Sequence, residues 1–257
     1  MSTTVSSEER QIRDRAERLA RQHAAREAQG RRRKVIQLGA VVGIAVVVLI
    51  VLVAISSTNS STSANGPSLT AAQVRTLLSG ISQHGTTLGS DAAPVTVTEF
   101  ADLQCPFCQA YTVGESPTIV TKYVRTGEVK FVFRNLAVIG PQSEPAAQAA
   151  AAAGLQNKLW NFADVFYANQ REENSGYVTN AFIERIAAKV PGLNVAAMMA
   201  ARSSSVVSKQ LATAFALAKA DGVRGTPTFI VQRAGQRPVK VVGASGLEPA
   251  IARAVSH

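Results

Sequence analysis

The chain has 257 residues, 27 Lys and Arg against 17 Asp and Glu, and is 46% hydrophobic, a balance that excludes a wholly disordered chain. Two cysteines exclude a disulfide-dense scaffold and a four-thiolate zinc site. The formal charge of +10 would point to nucleic acid if it were one patch, but it is split: residues 1–34 carry ten bases and five acids, residues 35–55 carry no charge, and the rest is mildly basic.

Residues 1–34 read as a basic tail, with a solvated charged helix over 6–34. Glu9/Arg13, Asp14/Arg18 and Glu17/Arg21 are acid-before-base pairs four apart, each worth a few tenths of a kcal/mol. The segment has no aromatic residue for stacking on bases, so no nucleic acid is expected as a partner. Residues 35–55 (VIQLGAVVGIAVVVLIVLVAI) form an uncharged run whose helix would rise ~31 Å, enough to cross a bilayer. Arg31, Arg32, Arg33 and Lys34 precede it, and no Lys or Arg follows until Arg75. This asymmetry predicts a single transmembrane helix with the basic tail in the cytoplasm and the C-terminal domain outside. The run is longer than the apolar region of a cleaved signal peptide, although Ala54-Ile55-Ser56 would pass as a cleavage site.

Residues 56–83 read as a Ser/Thr/Asn-rich tether ending in a short helix over 70–82, with Val74, Leu77, Leu78 and Ile81 on one side. Residues 84–257 then form one domain. Residues 94–100 (PVTVTEF) and 129–134 (VKFVFR) have strand character and enclose a helix over 105–126, which Pro117 should kink or break. Strand–helix–strand is the pattern of a parallel βαβ unit. Residues 142–220 are largely helical. They include an Ala-rich stretch at 146–153 and an apolar stripe of Leu159, Trp160, Phe162, Ala163, Phe166 and Tyr167, read as core. Strand character returns at 228–232 and 238–242 around a turn at 234–236, and residues 247–255 close the chain as a helix. The fold class is α/β.

Both cysteines fall in one motif, Cys105-Pro106-Phe107-Cys108. Three apart on a first helical turn, two thiols can close a disulfide. Cys105 would sit at the helix N-terminus, where free N–H groups and partial positive charge favour a thiolate. Pro106 suits the first helical position because it lacks the N–H left unsatisfied there. Cys105 is then expected as the exposed nucleophile and Cys108 as the buried resolving thiol. A structural disulfide over so short a loop would constrain the unfolded chain little. No metal is expected, because the pair supplies two of zinc's four ligands and the only histidines are His23, His84 and His257. No cofactor is expected either.

The segment from Ala93 through Cys108 (APVTVTEFADLQCPFC) resembles the active-site strand and helix start of the DsbA-like thioredoxin-fold oxidoreductases. Gly225-Thr226-Pro227-Thr228-Phe229 resembles their second signature, in which the proline follows a cis peptide bond beside the cysteines. The resemblance implies a thioredoxin-like fold with a helical insertion and a Cys105/Cys108 redox pair within an active-site motif completed by Pro106 and Phe107. It implies that client chains hydrogen-bond the backbone at Thr226, next to Pro227, and that Glu99 is a buried acid able to relay the proton of Cys108. The bare sequence leaves open that Glu99 is a solvent-facing strand residue. The implied activity is extracytoplasmic oxidation of cysteine-containing exported proteins, with a redox partner that the sequence does not identify. A reductase or isomerase using the same site, and a peptide-binding module without turnover, are the alternatives. The best-known oxidases of the family carry histidine where this chain has Phe107, so a less oxidising couple is expected here.

Overall fold

The computed structural model describes residues 70–256. The expected basic tail and membrane span, and the tether up to residue 69, lie outside the described residues. Among the described residues no helix is long and apolar enough to cross a membrane.

Helix α1 (Ala71–Leu78) opens on a capping box, in which the Thr70 hydroxyl accepts from Gln73 N–H and the Gln73 side chain accepts from Thr70 N–H. Its Val74 and Leu78 are buried in the same core as the sheet. Two short strands follow, β1 (Gln83–His84) and β2 (Thr87–Leu88), which sequence reading missed. Two-residue strands carry too little alternation to register as a pattern. Then come β3 (Val95–Ala101), α2 (Pro106–Gly114), α3 (Ser116–Ile119) with a π-helical turn at Val120–Val124, and β4 (Val129–Asn135). The single helix expected over 105–126 is therefore interrupted after Gly114. Pro117 lies in the first turn of α3, where its missing N–H costs nothing.

Five helices, α4 (Ser143–Gly154), α5 (Leu159–Tyr167), α6 (Asn180–Ala187), α7 (Val195–Ala201) and α8 (Ser205–Ala220), separate β4 from β5 (Thr228–Arg233). Strand β6 (Val239–Val242) and α9 (Leu247–Val255) finish the chain. The sheet order is β1-β2-β4-β3-β5-β6. Only β3 and β4 run parallel, with Val97 opposite Phe131, and α2 crosses between them as the βαβ reading requires. Strands β5 and β6 form the expected hairpin, with Gly235 at φ 79° in its turn.

Period-two alternation decides what each strand contributes to the site. On β3, Val95, Val97 and Ala101 enter the main core, and Glu99 shares their face. Phe100 points the other way, into a smaller cluster with Leu136 and Ala218. Helix α4 owes its alanines to more than propensity, since Ala149 through Ala153 are all fully buried. Only small side chains let a helix be enclosed this tightly. Helix α5 is likewise buried on every side, with Trp160 stacked edge-on against Phe133 at 5.5 Å.

Candidate active site

The turn entering α2 is fixed from several directions. Asp102 is the centre of the clamp: its Oδ1 accepts from Gln104 N–H at 2.9 Å, and its Oδ2 accepts from Val138 and Ile139 N–H at 2.8 and 2.9 Å. Cys105 N–H donates to the Asp102 carbonyl at 2.9 Å. The insertion supplies the remaining holds. Tyr167 Oη donates to the Asp102 carbonyl at 3.0 Å, and Gln170 Nε2 donates to the carbonyls of Leu103 and Cys105 at 2.8 and 3.3 Å. A buried loop with unpaired backbone groups would be costly, and these contacts satisfy them.

Cys105 is itself the N-cap of α2. Its Sγ accepts from Cys108 N–H at 3.4 Å, and Pro106 occupies the first turn. The same sulfur donates to the Thr226 carbonyl at 3.3 Å, so the structure brings the two sequence motifs together. The Thr226–Pro227 peptide bond is cis. Both cysteines are free thiols. The expectation that Cys105 is exposed is corrected, because the residue is only 2% exposed. The Thr226–Pro227 loop covers a sulfur that an isolated helix N-terminus would show to water. Phe107 takes the outer position at 73% exposed.

The two thiols are pushed in opposite directions. A hydrogen bond from the Cys108 thiol pulls the Cys105 pKa down to about 6 against the opposing effect of burial, with further help from Thr226 and from the backbone N–H groups of Cys108 and Phe107. The Thr226 hydroxyl is buried without another hydrogen-bond partner among the described residues, and its effect on Cys105 ranks after that of the Cys108 thiol and ahead of the backbone N–H groups. Cys108 is pushed well up, chiefly by burial, then by its bond to Cys105 and by neighbouring charge that includes Glu99.

Beneath the thiols lies an acidic floor. Glu99 is 2% exposed, which excludes the solvent-facing reading. Burial, with the Asp164 carboxyl adding to it, pushes its pKa up to about 8. Asp164 is 6% exposed and is also raised to about 8 by burial. Both carboxyls therefore hold their protons near neutral pH. Tyr111 and Tyr167 are raised well above the usual phenol range, Tyr111 by burial and then by Glu99 and Asp164, Tyr167 by burial and then by Cys108 and Glu99. Tyr111 also packs edge-on against Phe229 at 4.8 Å.

Sequence reading missed Asp164 and Asp102. Asp164 stood inside a stripe read wholly as core, and a lone acid between apolar residues of a helix was the available signal. Asp102 was quoted within the motif without a role, because its partners Val138 and Ile139 are remote in sequence. Among the described residues no three His, Cys, Asp or Glu side chains group as a metal site would require. The arrangement can stabilise a thiolate at Cys105, keep Cys108 protonated and hold a proton donor nearby, which is the chemistry of thiol–disulfide exchange.

Comparison with known proteins gives the same picture. The family model described as thioredoxin matches residues 82–238. A probable disulfide bond formation protein D from Bacillus cereus is 28% identical over 201 residues, covering 77% of this chain and 88% of that protein. A thioredoxin-like oxidoreductase from Silicibacter pomeroyi is 31% identical with a TM-score of 0.53, covering 66% of this chain and 92% of that one. Oxidised BdbD from Bacillus subtilis shares the fold with a TM-score of 0.60 at 23% identity, covering 69% and 98%.

Proposed function

The chain belongs to the thioredoxin family, among its DsbA-like thiol–disulfide oxidoreductases, and from that premise we propose that it forms disulfides in exported proteins through Cys105 and Cys108. The observation that carries this reading is the pair of opposed thiols: a sulfur at the cap of α2 whose pKa is pulled down, 3.4 Å from the backbone nitrogen of a buried partner whose thiol pKa is pushed up.

In the forward reaction a client thiolate attacks Cys105 Sγ of the enzyme disulfide. The sulfur–sulfur bond breaks, a mixed disulfide forms, and Cys108 leaves with the electron pair. Cys108 lies where burial disfavours its thiolate, so it takes up a proton, and Glu99, protonated near neutral pH, is the donor. The client's second thiolate then attacks the mixed disulfide and displaces Cys105. Cys105 is the better leaving group because its thiolate is stabilised. The client gains a disulfide, and the enzyme departs as a dithiol. A redox partner must reoxidise it. The Thr226 backbone, against Cys105, is where an extended client chain would be held, beside Pro227.

The reading takes residues 35–55 as a membrane anchor with the domain outside the cytoplasm, supported by the uncharged 21-residue run and the Arg31–Lys34 cluster before it. The probable disulfide bond formation protein D of Bacillus cereus, by its name, supports the oxidative direction.

The test is oxidation of a reduced, unfolded disulfide protein by the full-length chain. Activity is expected in the wild type and none in Cys105→Ser. Thiol trapping in cells should find Cys105 and Cys108 mostly oxidised. A mostly reduced pool would replace the oxidase by a reductase or isomerase on the same site. Binding that persists in the Cys105→Ala, Cys108→Ala double variant, with no thiol chemistry in the wild type, would replace enzyme by peptide-binding module.

A further inference from the structure

The loop that covers Cys105 separates two surface cavities, and Gly225 lines both. On one side a cavity of about 380 Å³ lies between Phe107, Tyr111, Pro227 and Val242, with Glu115 as its one charged residue. On the other a cavity of about 270 Å³ is floored by Leu136, Val138, Phe215 and Val223, and its two charged residues are Lys219 and Arg224. A third cavity, of about 420 Å³, shares Leu136 and Phe215 with the second and extends it along α8 to Glu144, its one charged residue, so the cationic part of the groove is the end nearer Thr226. Phe215, 60% exposed, stands between them.

Three features set the Phe215 side apart from ordinary surface. Its apolar floor is continuous with the small core cluster of Phe100, Leu136 and Ala218, so it is rigidly backed. Large exposed aromatics grouped with other apolar residues mark interaction sites more often than isolated ones do. Both of its cations are exposed and neither forms an ion pair, the ion pair among the described residues being Lys122 with Glu248. The two cavities flank the backbone at Gly225 and Thr226, so a chain extended over Thr226 has the Glu115 cavity at one end and the Lys219/Arg224 cavity at the other.

We propose that the Phe215 groove seats one flank of the client's reacting cysteine and selects an apolar residue next to an acidic one, the two cations meeting the acid and Phe215 meeting the apolar side chain. The occupant is thus a client polypeptide with acidic–apolar character on that flank. The inference rests on the oxidoreductase reading above and adds a specificity that the cysteine chemistry does not contain. Charge acts here mainly on encounter and register, and it weakens as salt rises.

The test uses the oxidised full-length chain and synthetic dithiol peptides. Their first cysteine is flanked, before or after, by Leu-Glu, Leu-Lys or Ser-Gly. Each single-turnover rate is divided by that peptide's rate with the uncharged disulfide of 2-mercaptoethanol, which cancels the effect of the flanking charge on the peptide thiol itself. For one of the two placements Leu-Glu is expected to react about three- to tenfold faster than Leu-Lys, the range that one or two surface charge contacts supply. The Lys219→Glu, Arg224→Glu double variant should abolish or invert that ratio. Phe215→Ser should slow both Leu peptides at that placement and leave Ser-Gly unchanged. Leu-Glu and Leu-Lys rates within twofold at both placements, or a ratio that survives charge reversal, overturn the proposal. So does a change of sedimentation in Phe215→Ser with unchanged peptide rates, which would assign the face to a second copy of the chain. A wild type that oxidises every peptide equally refutes the groove and keeps the oxidoreductase. One that oxidises none refutes both.

Discussion

The rim of the α2 turn and the floor beneath it obey opposite electrostatics although Cys105 and Cys108 are separated by two residues. At the rim, hydrogen bonds to sulfur outweigh burial, and the Cys105 pKa falls to about 6. On the floor, burial outweighs everything, and Cys108, Glu99 and Asp164 all move toward their neutral forms. Low polarity penalises any charge it cannot surround with donors, and it strengthens the donors where they exist. The two thiols are made asymmetric because one sulfur receives the Cys108 thiol, the Thr226 side chain and the donors of a helix start, while the other is governed by burial.

The sharpest test of that contrast is the pH dependence of stability. Glu99 and Asp164 have folded pKa values near 8, above their usual 4.5 and 3.8, so the native state holds these protons longer than the unfolded chain does. Their contribution therefore declines as pH rises from about 4 to about 8 and is constant above that. Glu99→Gln removes its share. In a Cys105→Ser background, denaturant unfolding should show the variant gaining on its parent across that window, by on the order of 4 kcal/mol at pH 8 at ~1.4 kcal/mol per pKa unit. A pH-independent difference would show that the floor carries no ionisation penalty.

Next in size is the clamp. Asp102→Ala leaves the N–H groups of Gln104, Val138 and Ile139 without their acceptor. The expected loss is roughly 2–4 kcal/mol in the same unfolding experiment. Asp102→Asn, which keeps one acceptor oxygen, should recover part of it.

Smaller effects concern the rim itself. Thiolate absorbance of the reduced chain should titrate with one midpoint near pH 6, from Cys105, while Cys108 stays silent to above pH 9. Cys108→Ala should move the Cys105 midpoint upward, because it removes the largest of the lowering contacts. Thr226→Val should move it upward by less. A midpoint unchanged in Cys108→Ala would mean that Thr226 and the backbone N–H groups hold the thiolate without it.

Much of this was legible in the sequence for local reasons. Pro106 after Cys105 marks a helix start, and a spacing of three places the Cys105 sulfur over the Cys108 N–H. Alternation in residues 95–101 puts Glu99 on the face of Val95 and Val97, so its burial follows once that face is known to be inward. The hidden parts share a different cause. The β1–β2 hairpin is too short to carry a period. Asp164 looks like a blemish in a core helix until Glu99 is set against it. The exposure of Cys105 was misjudged because the loop that covers it arrives 121 residues later.

By itself, then, the sequence determined the fold class, the Cys-Pro-Phe-Cys motif and which sulfur caps the helix, since spacing, propensity and period act over a few residues. The tertiary structure decided the pKa order of the thiols, the burial of two carboxyls beneath them and the charge of the grooves flanking Thr226. Those depend on desolvation and on neighbours remote in sequence, and such neighbours are known only when the chain has folded.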